Sequence, residues 1–452
     1  MCWAVDELRT TPLSDHRLKL RLIDMVEGFT EHPEASCAEA LGKAGSRAAY
    51  RFWDNRHVRA ADVLVGHAKE CARRSMEYPV VLVAQDTTEI NLTHHPATKG
   101  TGYLGSPQCR GLMLHSLLAI SPTGVPLGVA RQFSWIRPPE QLGKRHRRRQ
   151  NALREKESQR WLDGLTAAGE VFAQHPHVVV MGDRESDLFD LFAAPRPSHV
   201  DLLVRVSREK RRVDASAKYL DAAMQAQPVR GHVQIYVPAR PNRVARTAEL
   251  AVRWASLDVQ APSHGPKRPA LRLSFILVEE VNPPPGEKPV RWLLATTLPV
   301  ESLEDALRCV RWYSYRWTIE RFHFVLKSGC KIEERQLETV ERMERAIPVF
   351  SIVAWRLLWL TLYARESPDV PCTRILEEFE WKPLWISVNR GSQPLPDKPP
   401  TLREAVRMIA RLGGFLGRKC DGEPGPRTLW RGMRRLYDLS VGWLAAQQSQ
   451  FS

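Results

Sequence analysis

Two short apolar runs, each leading into an aspartate, do most to limit what this chain can fold into. Val80-Val81-Leu82-Val83-Ala84 runs up to Asp86, with Thr87 and Thr88 beyond it, and His177 to Met181 runs through Gly182 to Asp183. Such β-rich runs predict buried strands, each ending on a carboxylate. Leu112 to Ile120 and Val125 to Phe133, joined by the turn Ser121-Pro122-Thr123-Gly124, predict an antiparallel meander. Residues 200–206 and Arg291 to Thr296 add further strands. Between them, about 212–290 carries strand-like runs such as Val233 to Val237 and Leu271 to Val278, and reads as a β-rich insertion closed by the loop Asn282-Pro283-Pro284-Pro285-Gly286.

Helical spacing frames this strand-bearing middle. Leu18, Leu22, Ile23 and Met25, then Ala40, Leu41 and Ala44, predict helices over residues 1 to about 70. Helix is predicted again from Ser302 to about 366. Gln393 to Pro400 is Pro-rich and reads as a linker before a helical tail over 401–447. The class is therefore α/β, in three blocks: 1–70, 71–366 and 367–452.

A chain of 452 residues has room for two or three domains. Its 66 Lys plus Arg against 51 Asp plus Glu leave a net charge of +15, which calls for a polyanionic partner. No run of 18 or more apolar residues occurs, and the start MCWAVDELRT lacks the pattern of a signal peptide, so neither export nor membrane spanning is expected. The eight cysteines form no C-x-x-C pair and are expected to be free thiols in a reducing cytoplasm. The stretch Ala49-Tyr50-Arg51-Phe52-Trp53 sets aromatics beside a guanidinium, which suits a small DNA-binding helix and equally a domain-packing one.

Arg311 to Lys331 reads as one helix. With Tyr313 at zero and about 100° per residue, Arg316, Glu320 and Lys327 fall within a stripe roughly 60° wide, while Trp312, Tyr315, Ile319, Phe322 and Leu326 share an adjacent arc that can face a core. An acid flanked by two cations and a phenol suits a metal site beside a phosphate. A plain surface helix with i,i+4 charge pairs fits the same spacing. Asp86 and Asp183 bear on that choice, because phosphoryl transfer can be run by divalent ions held on carboxylates. Each aspartate alone could instead cap a turn or helix, and Asp187 reads as helix-start charge.

Taken together, these residues resemble the cut-and-paste transposases of the IS-four insertion-sequence group, the Tn-five type above all. The likeness is carried by Asp86-Thr87-Thr88, by Gly182-Asp183-Arg184-Glu185-Ser186-Asp187, and by the spacing of Tyr313, Arg316, Glu320 and Lys327. It extends from Tyr50-Arg51-Phe52, through Glu157-Ser158 with Trp161 and the Asn282-Pro283-Pro284 loop, to Ala410-Arg411-Leu412-Gly413-Gly414-Phe415, nearly the whole chain. The resemblance implies a ribonuclease-H-like core with a β-strand insertion, an N-terminal helical domain that reads transposon ends, and a C-terminal helical dimerisation domain. It implies that Asp86, Asp183 and Glu320 are the catalytic, metal-binding DDE triad, served by Mg2+ with Mn2+ able to substitute. Tyr313, Arg316 and Lys327, with Arg205, would hold DNA phosphates, and Trp292 would receive a flipped base, with Trp317 beside it. The partners implied are terminal inverted repeats, target DNA and a second copy in a synaptic homodimer, in a cytoplasm where the DNA lies in the nucleoid. Neither a membrane nor a small-molecule cofactor is implied.

Some features depart from that pattern. Phe324 stands where the Tn-five type has a lysine. Gly100 to Gly105 satisfies G-x-G-x-x-G yet leads to a strand, so it reads as a loop, and His175 with His177 has no nearby partner for zinc. The run KRHRRR at 144–149 fits a solvated loop or a DNA contact. Two alternatives stay open at this point: an inactive end-binding inhibitor, and a ribonuclease-H-like nuclease without strand transfer.

Overall fold

The computed structural model describes residues 3–138, 140, 157–237, 244–263, 268–418 and 421–449; the KRHRRR run lies outside them. The chain forms two compact units. One comprises Met1–Arg74, Thr87–Arg145 and Thr318–Ser452, the other Ser75–Asp86 and His146–Trp317. Strand β1 (Val81–Asn91) contributes to both. The sequence reading stopped this strand at Asp86, but the structure carries it on to Asn91, because Thr87 and Thr88 are β-branched and no Gly or Pro breaks the run.

In the first unit, β2 (Gly102–Tyr103) and β4 (Pro126–Trp135) pair antiparallel with β3 (Arg110–Ile120). The β3–β4 turn is the predicted one. Ser121 Oγ accepts from the backbone N–H of Thr123 and Val125 at 3.3 and 3.0 Å, and Gly124 takes φ +100°, which only glycine adopts without strain. Helices Trp3–Leu8, His16–Glu31, Cys37–Asp54 and Ala60–Ser75 account for the N-terminal helical reading. They and β4 pack on the long helix Val340–Glu366. That helix is apolar and long enough to cross a membrane by composition, but 78% of its most apolar window is buried in the protein, so it serves as a core helix.

Phe350 marks the centre of this core. Its ring lies 4.6 Å from Phe29 and 6.3 Å from Trp53, and the Arg335 guanidinium stacks 4.4 Å above it while donating to the carbonyls of Pro33, Ala35 and Cys330. Burying a guanidinium is tolerable here because those carbonyls and the π face replace its water. Nearby, Arg74 pairs bidentately with Glu7 at 2.7 and 2.8 Å.

Toward the C-terminus, helices Glu378–Val388, Leu402–Leu412 and Pro426–Ser449 enclose their own cluster around Trp381, Leu384, Ile409, Leu429 and Leu436. The last two helices touch backbone to backbone. A Cβ on Gly413 would sit 1.8 Å from the Thr428 carbonyl oxygen, and one on Gly432 1.8 Å from that of Ile409.

The second unit is built on β1, β5 (Val178–Gly182), β6 (Val200–Arg205), β7 (Gly231–Val237), β8 (Arg246–Val259), β9 (Leu271–Glu280) and β10 (Arg291–Thr296). Hydrogen-bonded order is β1-β5-β6-β10-β9-β8-β7. The β1–β5 and β5–β6 pairs are parallel, and the rest antiparallel. The inserted strands β7 to β9 are thus carried as a side extension, and β10 returns to pair with β6. A mixed sheet with flanking helices agrees with the α/β, ribonuclease-H-like class. Among the described residues, Cys37, Cys71, Cys109, Cys309, Cys330 and Cys372 are free thiols.

Candidate active site

Parallel pairing decides where the two aspartates go. The β1–β5 register runs from Val81 opposite Val178 to Ala84 opposite Met181. Asp86 lies two residues further along β1 and Asp183 one residue past the end of β5, and the Asp86 charge acts on Asp183. Asp183 caps the short turn Arg184–Ser186: its Oδ1 accepts the Glu185 N–H at 2.8 Å, and Ser186 Oγ donates to its carbonyl at 2.7 Å. Burial raises the Asp183 carboxyl above the usual range; the Glu185 N–H opposes that, the Asp86 charge adds to it, and Arg316 opposes it again. Such a pair is costly for the empty protein and is relieved by a cation.

The turn leaves no room for a side chain before Asp183. A Cβ on Gly182 would lie 2.1 Å from Ser186 Oγ. We therefore expect Gly182→Ala to swing Asp183 off its cap and lower DNA cleavage by about 10²-fold or more, with far less effect on DNA affinity. Single-turnover cleavage beside a binding titration checks this; unchanged cleavage would mean that the tight turn does not position Asp183.

Cations and aromatics gather in the same unit. Tyr313 and Arg316 are 2% and 6% exposed, so neither lies on an open polar stripe as the wheel expected. The reason is a break. The predicted single helix is two, Leu303–Ser314 and Trp317–Phe324, separated at Tyr315 and Arg316 and followed by a π-helical turn at Val325–Gly329. The Arg316 guanidinium lies 5.9 Å from the Tyr313 ring and 5.7 Å from that of Trp317, which is 47% exposed. Half-buried Trp292, on β10, meets Tyr313 edge to face at 5.7 Å. Arg205, at the end of β6, donates to the Arg291 carbonyl at 3.2 Å, while its buried Nε has no partner among the described residues. Burial and then the charges of Arg184 and Arg316 lower the Arg205 pKa, with Tyr313 and Glu209 opposing. Guanidiniums crowded against one another beside an orphaned donor suit an anion with several oxygens.

Asp187, read from sequence as helix-start charge, is instead an interior strut at 1% exposure. Its carboxylate accepts the N–H groups of Ser207 and Arg208 at 2.9 Å each and pairs with Arg211 at 2.5 Å, tying the segment after Asp183 to the end of β6. Its only sequence signal was a second aspartate four residues after the first. His177 and His175 are spent on hydrogen bonds to Asp201, Ser75 and each other.

The remaining candidates belong to the first unit. Glu320 is half-buried on helix Trp317–Phe324. Lys327 sits in the π-helical turn, a distortion frequent at functional sites, with Nζ 3.4 Å from Glu333. Phe324 lies against Trp430 at 5.8 Å, so this position packs instead of offering a charge. Arg51 is exposed on Cys37–Asp54, beside buried Phe52 and Trp53.

Three family models match the chain: "Transposase DNA-binding" over residues 1–58, "Transposase DDE domain" over 131–349, and "Transposase Tn5 dimerisation domain" over 352–448. The chain belongs to the Tn5/IS4-type DNA transposases. The DDE match takes in Asp183, Tyr313, Arg316, Glu320 and Lys327, and begins after Asp86. A DDE transposase acts on DNA and depends on a divalent metal, and this transposase carries the family's DNA-binding and dimer-forming regions. Among its described residues no three His, Cys, Asp or Glu side chains stand together as a ready metal cage. The sheet supplies a pair: Asp86 on β1 and Asp183 just past β5, all-oxygen donors whose mutual repulsion a hard divalent cation would relieve. The residues present fit such an ion.

Proposed function

We propose that this transposase works by cut-and-paste: hydrolytic nicking at a terminal inverted repeat, attack of the freed 3′ hydroxyl on the opposite strand to form a hairpin, hairpin opening, and strand transfer into target DNA. The observation that supports the reading is the parallel β1–β5 pair, beyond whose register Asp86 and Asp183 follow and interact through their charges. In this reading Asp86, Asp183 and Glu320 hold the divalent ions, Mg2+ by preference with Mn2+ able to substitute. When bound, those ions supply Lewis acidity for an in-line displacement at phosphorus. The chain itself binds and orients the DNA. Arg316 and Arg205, preorganised by burial, grip phosphate oxygens beside the carboxylates, and Tyr313 and Lys327 add to the grip. Trp292, steadied edge-on by Tyr313, offers a face to a base taken out of the stack, with Trp317, whose ring lies 5.7 Å from the Arg316 guanidinium, assisting.

The proposed division of labour is end recognition by residues 1–70, Arg51 included, catalysis by 71–366 with the insertion at about 212–290, and dimerisation in a synaptic complex by 367–452. The proposed setting is the cytoplasm, on nucleoid DNA. Loss of stacking at Trp292 should slow the step that needs a flipped base and spare the one that does not. Trp292→Ala is expected to leave first-strand nicking within a few-fold of wild type and to slow hairpin formation by roughly 5- to 150-fold, the equivalent of about 1–3 kcal/mol per stacked base. Time courses on pre-nicked and intact repeat duplexes separate the two. Equal slowing of both would assign Trp292 to the core.

A further inference from the structure

The region matched by the dimerisation model ends in a strongly basic segment. Between Thr401 and Ser449 the chain has nine basic residues against four acidic ones. On helix Pro426–Ser449, Arg427, Arg431, Arg434 and Arg435 recur at spacings of four, three and one, which places them within one stripe about 100° wide. All four are exposed. The stripe's opposite face is occupied, with Leu429 and Leu436 in the C-terminal core.

Arg431, Arg434 and Arg435 line an open groove of about 510 Å³, floored by Gly413 and Gly414 and bounded by Pro33, Glu34 and Trp430. The acidic groups facing it are limited. Glu34 accepts the Trp430 indole N–H, which leaves Asp438 as the one carboxylate in the stripe itself. Arg435 donates to the Leu412 carbonyl, and Arg427 lies 5.8 Å from the Phe324 ring. Among the described residues Arg431 and Arg434 make no hydrogen bond or ion pair, though the Arg434 charge acts on exposed Glu39 and on His32. Their charge is offered outward. From Arg427 to Arg435 the helix rises about 12 Å, a span of three to four base-pair steps of duplex at about 3.4 Å each.

We propose that the arginine face of helix Pro426–Ser449, with the groove beside Gly413 and Gly414, is a sequence-independent binding surface for the phosphate backbone of duplex DNA. Its arginines are none of the residues assigned above to metal, phosphate or base contacts. Guanidinium donors in a row grip phosphates whatever the bases, and a groove floored by glycine lets the backbone come close. The DNA gripped is target duplex.

The test uses the full-length protein and two duplexes, one of random sequence and one carrying the inverted repeat, each titrated between about 50 and 200 mM salt. The triple variant Arg431→Ala/Arg434→Ala/Arg435→Ala should weaken binding to the random duplex by roughly 10- to 100-fold and flatten the log–log salt dependence by about 2 to 3, near 0.9 for each phosphate left unneutralised. Arg→Lys at the same three positions should recover most of the slope, which separates the effect of charge from that of folding. Strand transfer into target DNA should fall with the random-duplex affinity. An unchanged salt slope would overturn the proposal, as would a loss confined to repeat-bearing DNA. A triple variant that keeps its DNA affinity but no longer forms dimers would overturn it too, assigning the stripe to the protein interface.

Discussion

Asp183→Asn is expected to lower metal-dependent DNA cleavage by about 10²- to 10³-fold, the scale of removing one preorganised electrostatic group from a reaction centre, while the metal-free protein melts at an equal or higher temperature. The two halves of this result have one cause. Burial and the Asp86 charge raise the folded-state pKa of Asp183. A carboxyl raised in this way contributes stability below its unfolded value, and that contribution is lost as pH rises through the folded pKa. At neutral pH the ionised group is therefore a cost to the empty protein. Asparagine removes the cost and with it a carboxylate of the metal pair. Melting curves without metal and single-turnover cleavage with it check both. A large drop in melting temperature together with lost activity would instead make Asp183 a structural cap.

Asp187→Ala should have the largest effect on folding at the site, about 3–5 kcal/mol. It strips a buried acceptor from two backbone N–H groups and leaves the Arg211 guanidinium, itself 8% exposed, without its anion. Cleavage should fall as well, because the strut joins the Asp183 turn to the strand end that bears Arg205. Replacing both partners, as in Asp187→Leu with Arg211→Met, should recover much of the stability, since apolar groups of similar volume avoid the uncompensated charge. It should recover less of the cleavage. Urea unfolding of the single and double variants measures the coupling. Additive losses with no recovery would mean that Asp187 acts through its backbone hydrogen bonds alone.

The sheet was legible wherever apolar runs were bounded by turn residues. Strand β10 has the limits read from Arg291 to Thr296, and the hairpin around Ser121 to Gly124 follows from its turn chemistry. Asp183 was placed correctly after its strand because Gly182 ends the β run. Asp86 was not, since nothing in Thr87 or Thr88 stops a strand and it falls within β1. The helix from Arg311 to Lys331 failed for a related reason. Its apolar spacing is continuous, so a wheel built from it cannot register the break at Tyr315 and Arg316, which buries two groups assigned to an open face. Asp187 was missed because its partners, at Ser207, Arg208 and Arg211, lie on the far side of β6 in sequence. Residue types and spacings carried the chemistry; the tertiary pairings that set burial did not show in them.

The central claim is metal-dependent, end-specific DNA chemistry, and the most direct measurement is cleavage of a duplex carrying the element's own inverted repeat beside a scrambled duplex. Each is incubated with the full-length protein in magnesium, in manganese and in chelator. Nicks and hairpins are expected at the repeat boundary with either metal, none with chelator and none on the scrambled duplex. Binding to the repeat without cleavage in either metal would contradict it and mark an inactive end-binding protein; cleavage of both duplexes alike would mark a nuclease.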